Sequence, residues 1–426
     1  LVKDITAVSN YTRRLVDAEL TMRLETTGAV VIEGPKACGK TSTGRAHARS
    51  EVLLDTDSMA RSLLETEPAL VLHGASPRLL DEWQTAPQIW NYVRRAVDTN
   101  TNPGQFILTG SAVPADDWVR HTGAGRIGRL RMRPMSLQES GFSQAIIRPS
   151  DLLDGVNIGA DAREAGIADW IEEVCRGGWP GWRMLRVDAA LRRNRDYVDE
   201  VCRTDVARLA GTSCDPERLR RFMRAYSRHV GTQAPVTGMV ESADEGAKAS
   251  LHADTARSYL DALQRLMVVE ELRPWGTHLR SRSRQLQTPK RYWVCPSLAV
   301  AALRATPAQL TADLSFFGLL FESLVVRDLQ TMAQTLDGAL YHYRDNTGLE
   351  ADAVLQLADG RWGAFEIKLG MGQVDAAAES LLRLAERVDT KCIGEPSFLA
   401  VLVGVGRWAY RRPDGVAVIP MTVFGV

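Results

Sequence analysis

Lysine is scarce in this sequence. Of 52 basic residues only seven are lysine, at positions 3, 36, 40, 248, 290, 368 and 391, and the other 45 are arginine. A GC-rich coding sequence accounts for the bias as a whole, so a lysine that survives in it draws attention to the chemistry of its position. Net charge is lacking too: 52 acidic residues balance the 52 basic ones. That balance excludes a uniformly basic nucleic-acid coat and an acidic disordered chain. The six cysteines (38, 175, 202, 214, 295 and 392) form no CxxC pair and have no histidine at metal-ligand spacing. A secreted disulfide framework and a structural zinc site are therefore not expected. No apolar run approaches the roughly 18 to 20 residues of a membrane span. Residues 1–20 carry several charges, unlike a signal peptide, and the expected location is cytoplasmic. What is present is ordinary: 426 residues, 45% hydrophobic and 24% charged, enough for two or three domains with their own cores.

Up to about residue 145, short β-branched runs alternate with helical patterns. Ala29–Ile32, Arg78–Leu80 and Gln105–Leu108 read as buried strands leading into loops or helices, the signature of an α/β domain with a parallel sheet. From about 150 to 235, apolar residues recur at three- and four-residue spacing and the chain reads as helical. An amphipathic helix over Ala253–Leu266, an apolar Met267–Val269 and a polar stretch up to Tyr292-Trp-Val294 follow the order of a winged helix-turn-helix. The remainder reads as a helix over 316–335, strands over 339–344, 351–357 and 362–368, a helix over 373–387 and further strands, a second α/β domain.

Gly34-Pro35-Lys36-Ala37-Cys38-Gly39-Lys40-Thr41-Ser42 satisfies GxxxxGK[ST] directly after an apolar strand and before a helix. Glycines let backbone N–H groups turn onto phosphate oxygens, and the helix N-terminus adds its positive end. Lys40 is then the β/γ-phosphate ligand of ATP, and the Thr41 hydroxyl a ligand of Mg²⁺. Such a loop needs an acidic partner on a neighbouring strand, and Arg78-Leu-Leu-Asp81-Glu82 offers one. Asp81 suits the metal and Glu82 the base toward water, although an acidic pair at a strand end also serves as a helix cap. A third strand ends in Thr109-Gly-Ser111, where hydroxyls can sense the γ-phosphate. Between Asp117 and Glu139 stand Arg120, Arg126, Arg129, Arg131 and Arg133 with no acid, either a solvated basic face or a source of transition-state charge.

These motifs, with Gly125-Arg126…Arg133-Pro-Met-Ser136-Leu-Gln-Glu139, Arg176-Gly-Gly-Trp-Pro180, Tyr197…Arg203-Thr-Asp205 and Thr255…Tyr259-Leu-Asp-Ala-Leu263, resemble a prokaryotic group of AAA-type P-loop ATPases. Members of that group carry a C-terminal restriction-endonuclease-like domain of unknown function. The resemblance runs through nearly the whole chain. It implies that Asp81 and Glu82 are the Walker B pair, Ser111 or Thr109 the sensor, and Arg126 the finger-like arginine, supplied in cis or by a neighbouring subunit. One departure stands out: Val294-Cys295-Pro296-Ser297 replaces the group's usual aspartate and glycine.

Near the C-terminus, Glu322 lies on a helix, Asp352 opens a strand, and Glu366-Ile-Lys368 ends the next one. Residues two apart on a strand share a face, and carboxylates with a nearby lysine can bind Mg²⁺ through Asp352 and Glu366 and activate water. The arrangement resembles the PD-(D/E)xK nuclease core, and a salt-bridged sheet edge accounts for the same pattern. From Leu272 to Ala312 there is no acid, but Arg273, Arg280, Arg282, Arg284, Lys290, Arg291 and Arg304 are present. Arg280, Arg282, Arg284, Lys290 and Arg291 are thus candidate phosphate contacts to DNA or RNA.

The expected architecture is α/β: a P-loop ATPase domain over 1–148, a helical lid over 149–235, a winged helix over 236–295 and a nuclease-like domain over 296–426. The expected function is Mg²⁺-dependent ATP binding and hydrolysis coupled to action on nucleic acid. The alternative is a non-cutting switch whose ATP state controls homo-oligomer or partner binding.

Overall fold

In chain order the N-terminal strands are β1 (Lys3–Asp4), β2 (Ala29–Glu33), β3 (Ser50–Leu53), β4 (Arg78–Asp81), β5 (Phe106–Gly110) and β6 (Ile127–Arg131). The structure is a computed structural model that describes residues 3–4, 11–110, 122–206, 215–244, 251–276 and 288–426. Ser111, Arg120, Arg280, Arg282 and Arg284 lie outside the described residues. The chain divides into two compact units, residues 1–134 with 265–267, and residues 135–264 with 268–426.

In the first unit the strands assemble in the order β1-β3-β4-β5-β2-β6. All neighbours are parallel except β1 and β3. Ala29, Val30, Val31 and Ile32 are wholly buried, as a strand covered on both faces requires. The helix Ile89–Thr99 turns Ile89, Trp90, Val93 and Val97 inward at helical spacing, into a core shared with Leu80, Phe106 and Leu108. Asp57 starts the helix Ser58–Thr66 by accepting a hydrogen bond from the Ala60 amide at 2.9 Å. Three strands of this unit carry no clear sequence pattern: β1 is two residues long, β3 only four, and β6 lies inside the arginine-bearing interval.

The second unit holds β7 (Ala160–Asp161), β8 (Val269–Leu272), β9 (Lys290–Trp293), β10 (Gly338–Arg344), β11 (Glu350–Leu357), β12 (Trp362–Lys368), β13 (Phe398–Val403), β14 (Trp408–Arg411) and β15 (Ala417–Pro420). Its main sheet runs β10-β11-β12-β13-β15-β14-β7, and β8 and β9 form a separate antiparallel pair. The helix Val374–Arg387 buries Val374, Ala377, Ala378, Leu381 and Leu384 against Val354, Ala364, Val401 and Val418. The 22-residue helix Leu314–Thr335 starts at Asp313, whose carboxylate accepts from the Phe316 amide at 3.0 Å. Residues 160–161, expected in a separate lid, pair with Trp408 and Ala409 of the C-terminal sheet. A two-residue strand leaves no periodic signal in a sequence, which is why this join was not foreseen.

Candidate functional sites

Parallel register gathers the first site. Ile32 lies beside Thr109, and Thr109 beside Asp81, so three strands deliver the loop, a hydroxyl and a carboxylate to one sheet edge. Two glycines shape the loop. A Cβ on Gly34 would stand 2.2 Å from the Met132 carbonyl oxygen, and Gly39, at φ 107°, holds the left-handed conformation before the helix Lys40–His47. Pro35 and Cys38 are buried, Lys36 is half-buried, and Ala37 and Ser42 are exposed. Lys40 curls back, its Nζ donating to the Gly34 and Pro35 carbonyls at 3.0 and 2.8 Å.

The Thr41 hydroxyl donates to Asp81 Oδ1 at 2.9 Å, and the Thr109 hydroxyl donates to the same oxygen. Glu82 follows at φ 53°, a left-handed conformation unusual for a residue with a side chain, and accepts a hydrogen bond from the Gln84 amide. Burial raises its pKa above the usual carboxylate range, opposed by the Gln84 hydrogen bond and reinforced by Asp81. One contributor had no sequence signal: the Arg14 guanidinium donates to the Cys38 carbonyl of the loop and to the Arg133 carbonyl after β6, both at 2.8 Å.

Arg126 does not join this site within its own chain. It precedes Ile127, which pairs with Ala29 at the start of β2, whereas the loop follows the end of that strand. At about 3.3 Å per residue the strand separates them by more than an arginine can reach. Arg126 instead donates to Asp98 at 2.8 Å, with both side chains partly exposed.

The second site lies in the other unit. β11 and β12 are antiparallel, with Ala353 opposite Phe365, so Asp352 and Glu366 follow one step further on. Glu322 comes from the helix Leu314–Thr335. Lys368 Nζ meets Asp352 Oδ2 at 3.1 Å and Glu366 at 2.5 Å, and the Ile367 amide donates to that same Asp352 oxygen at 2.9 Å. Lys290 adds a second ammonium, 3.0 Å from Glu322 and 3.5 Å from Asp352 Oδ1. Tyr292, two residues along β9, donates its hydroxyl to Glu322 at 2.7 Å.

Lys290 is 6% exposed and Arg291 7%, so neither is the solvent-facing phosphate contact expected from the acid-free run. Arg291 pairs with Glu271 at 3.2 Å and donates to the Ala234 carbonyl at 2.8 Å. Burial would lower the Lys290 pKa, but Glu322, Tyr292 and Asp352 hold it well above the ordinary lysine value. Burial would likewise raise Asp352, but the Lys290 and Lys368 ammonium groups keep it low. Burial and Asp352 raise Glu366, against the pull of Lys368. His342, wholly buried on β10, is pushed down to about 4 by burial and by Lys290, so its imidazole is neutral near neutral pH. As folded, the cluster does not suit the divalent metal expected at Asp352 and Glu366, because two ammonium groups already engage its three carboxylates. Among the described residues no group of three His, Cys, Asp or Glu side chains is arranged to hold a metal ion.

Residues 26–141 match the family model described as an AAA domain. The first site thus lies within the region that matches an AAA domain. Downstream of the AAA domain, residues 167–309 and 317–424 match two domains of unknown function, DUF8612 and DUF4143. Similar proteins include an uncharacterized protein of Mycobacterium bovis and one of Mycobacterium tuberculosis. Each is 27% identical over 363 residues, covering 84% of this chain and 74% of the relative. Among the described residues no helix is long and apolar enough to cross a membrane.

Proposed function

We propose that the AAA domain binds ATP with Mg²⁺ and hydrolyses it. The observation that carries this reading is the convergence of the Thr41 and Thr109 hydroxyls on Asp81, beside Lys40 and an αL-held Glu82. A hydroxyl and a carboxylate at one point are the hard oxygen donors that Mg²⁺ takes. When bound, Mg²⁺ neutralises charge on the β- and γ-phosphates. The loop amides cradle the phosphates, and Lys40 exchanges its two carbonyl partners for phosphate oxygens. Glu82 takes the proton of the attacking water, and its raised pKa brings it nearer the pH at which a base works best. Because Arg126 is out of reach in its own chain, a homo-oligomer in which a neighbouring copy supplies it completes the site. Lys40→Ala is expected to abolish binding of a fluorescent ATP analogue, and undiminished binding would sink the reading. Glu82→Gln is expected to bind normally and hydrolyse ~100-fold or more slowly, measured by phosphate release.

For the C-terminal domain two readings have support. Asp352, Glu366 and Lys368 meeting on adjacent strands favours a nuclease-like domain that acts on DNA or RNA. The lysine-filled cluster favours a non-cutting switch in which ATP state controls partner or oligomer binding. Nuclease assays with Mg²⁺ or Mn²⁺ across nucleotide states, with Asp352→Ala as control, separate them. No cleavage under any condition leaves the switch.

A further inference from the structure

The carboxylate cluster contains one group that a PD-(D/E)xK pattern does not account for. Lys290 comes from β9, outside the helix and the two strands that carry the pattern, and its partners are pattern carboxylates. Its ammonium lies between Glu322 on the helix and Asp352 on β11, at 3.0 and 3.5 Å. Asp352 is divided between two cations, with Oδ1 turned to Lys290 and Oδ2 to Lys368 and the Ile367 amide. Side-chain exposure is 8% for Lys290 and 11% for both Glu322 and Asp352, so water does little to solvate these charges. The strand is held in place by Tyr292, whose hydroxyl also binds Glu322, and by Trp293, whose Nε1 donates to the Ser227 hydroxyl at 3.0 Å. Three carboxylates face two ammonium groups. A divalent ion at the same place needs several oxygen ligands at about 2.1 Å, and Lys290 stands among those ligands.

We propose that Lys290 is a tethered cation occupying the divalent-metal position of the Glu322–Asp352 pair, so that the C-terminal centre as folded is closed to metal and opens only when β9 withdraws. The inference rests on the nuclease-like reading of this domain, but its test is metal binding, which is separable from cleavage. Lysine suits such a plug because its charge is compact and sits at the end of a flexible four-carbon stem. Whatever displaces β9 thereby exposes a carboxylate site for Mg²⁺.

The test is Mn²⁺ binding to nucleotide-free full-length protein, followed by electron paramagnetic resonance and by thermal shift. Wild type is expected to show no Mn²⁺ binding that Asp352→Asn removes. Lys290→Met is expected to gain such binding, with Tm rising on the order of 5 °C at saturating Mn²⁺, and Lys290→Met/Asp352→Asn to lose it. Because Lys290→Met leaves buried carboxylates unbalanced, Lys290→Met/Glu322→Gln provides a charge-matched variant with the same expected gain at weaker affinity. Recovery of a poorly folded variant by Mn²⁺ supports the proposal as well. Asp352-dependent Mn²⁺ binding in wild type overturns it. So does failure of both variants to bind or to be recovered by Mn²⁺. If Lys290→Met binds Mn²⁺ and cuts no DNA or RNA, the plug stands and the nuclease reading falls.

Discussion

Arg14 holds the phosphate loop without being part of its motif. Its side chain is buried and its two 2.8 Å hydrogen bonds end on the Cys38 carbonyl of the loop and the Arg133 carbonyl after β6, so Arg14→Met strands both oxygens. The expected cost is about 3 kcal/mol of unfolding free energy, measured in denaturant, together with weaker ATP binding. Nearby, Asp17 accepts from the Tyr11 hydroxyl at 2.7 Å and pairs with His47 at 3.3 Å. Burial alone would raise its pKa, but the His47, Tyr11 and Arg14-amide hydrogen bonds hold it below the ordinary 3.8. A depressed carboxylate contributes stability above its unfolded pKa and loses it as pH falls through the folded one. The Tm gap between wild type and Asp17→Asn is therefore expected to be widest near neutrality and to close below pH ~4. Val294-Cys295-Pro296-Ser297 stands where the resemblance implies an aspartate and a glycine; within it Cys295 Sγ sits 3.7 Å from Arg327 Nη1, and Asp328 supplies the guanidinium's counter-charge at 2.7 Å.

Among the elements, the turn after the helix Ile167–Arg176 is tightly packed. A Cβ on Gly178 would stand 2.2 Å from the Met135 carbonyl oxygen, backbone against backbone. Gly178→Ala is expected to lose about 1–3 kcal/mol in chemical denaturation, and an unchanged midpoint would contradict that packing. The strands and helices with strong periodicity were legible in the sequence. β2, β4, β5, β11 and β12 fall within a residue or two of expectation, and so do the helices at 253–265 and 374–387. The misses share a cause: tertiary partners decide them. The helix Pro296–Leu303 is buried on nearly every residue and so shows no amphipathic stripe, and β3 and β7 are too short to show alternation. The same limit applies to Lys290. A count of charges along the chain cannot tell that β9 is covered on both faces, which turns an apparent basic run into an internal ion cluster. By contrast, the glycine-bearing loop Gly34–Thr41 and the shared face of Glu366 and Lys368 were legible because local spacing sets them, while Arg14 reaches its site through the fold alone.

On the scale of the whole molecule, each unit has its own sheet and its own core. Calorimetry is expected to resolve two unfolding transitions. A non-hydrolysable ATP analogue with Mg²⁺ should raise one of them, and Lys40→Ala should cancel that rise; a single transition insensitive to nucleotide would contradict the assignment. The second unit also ties together distant parts of the sequence. The Leu137 amide donates to Asp328, Ser143 Oγ to the Phe424 carbonyl, and Gln138 and Val426 exchange hydrogen bonds, with Ile147 bridged to Phe424. Residues 138–147 therefore reach these partners only after residues 424–426 have been synthesised. Such long-range closure is slow and leaves apolar surface uncovered in the meantime. The nascent unit is a natural client for chaperones, and its yield on expression should respond more to the rate of synthesis than to the stability of the finished fold.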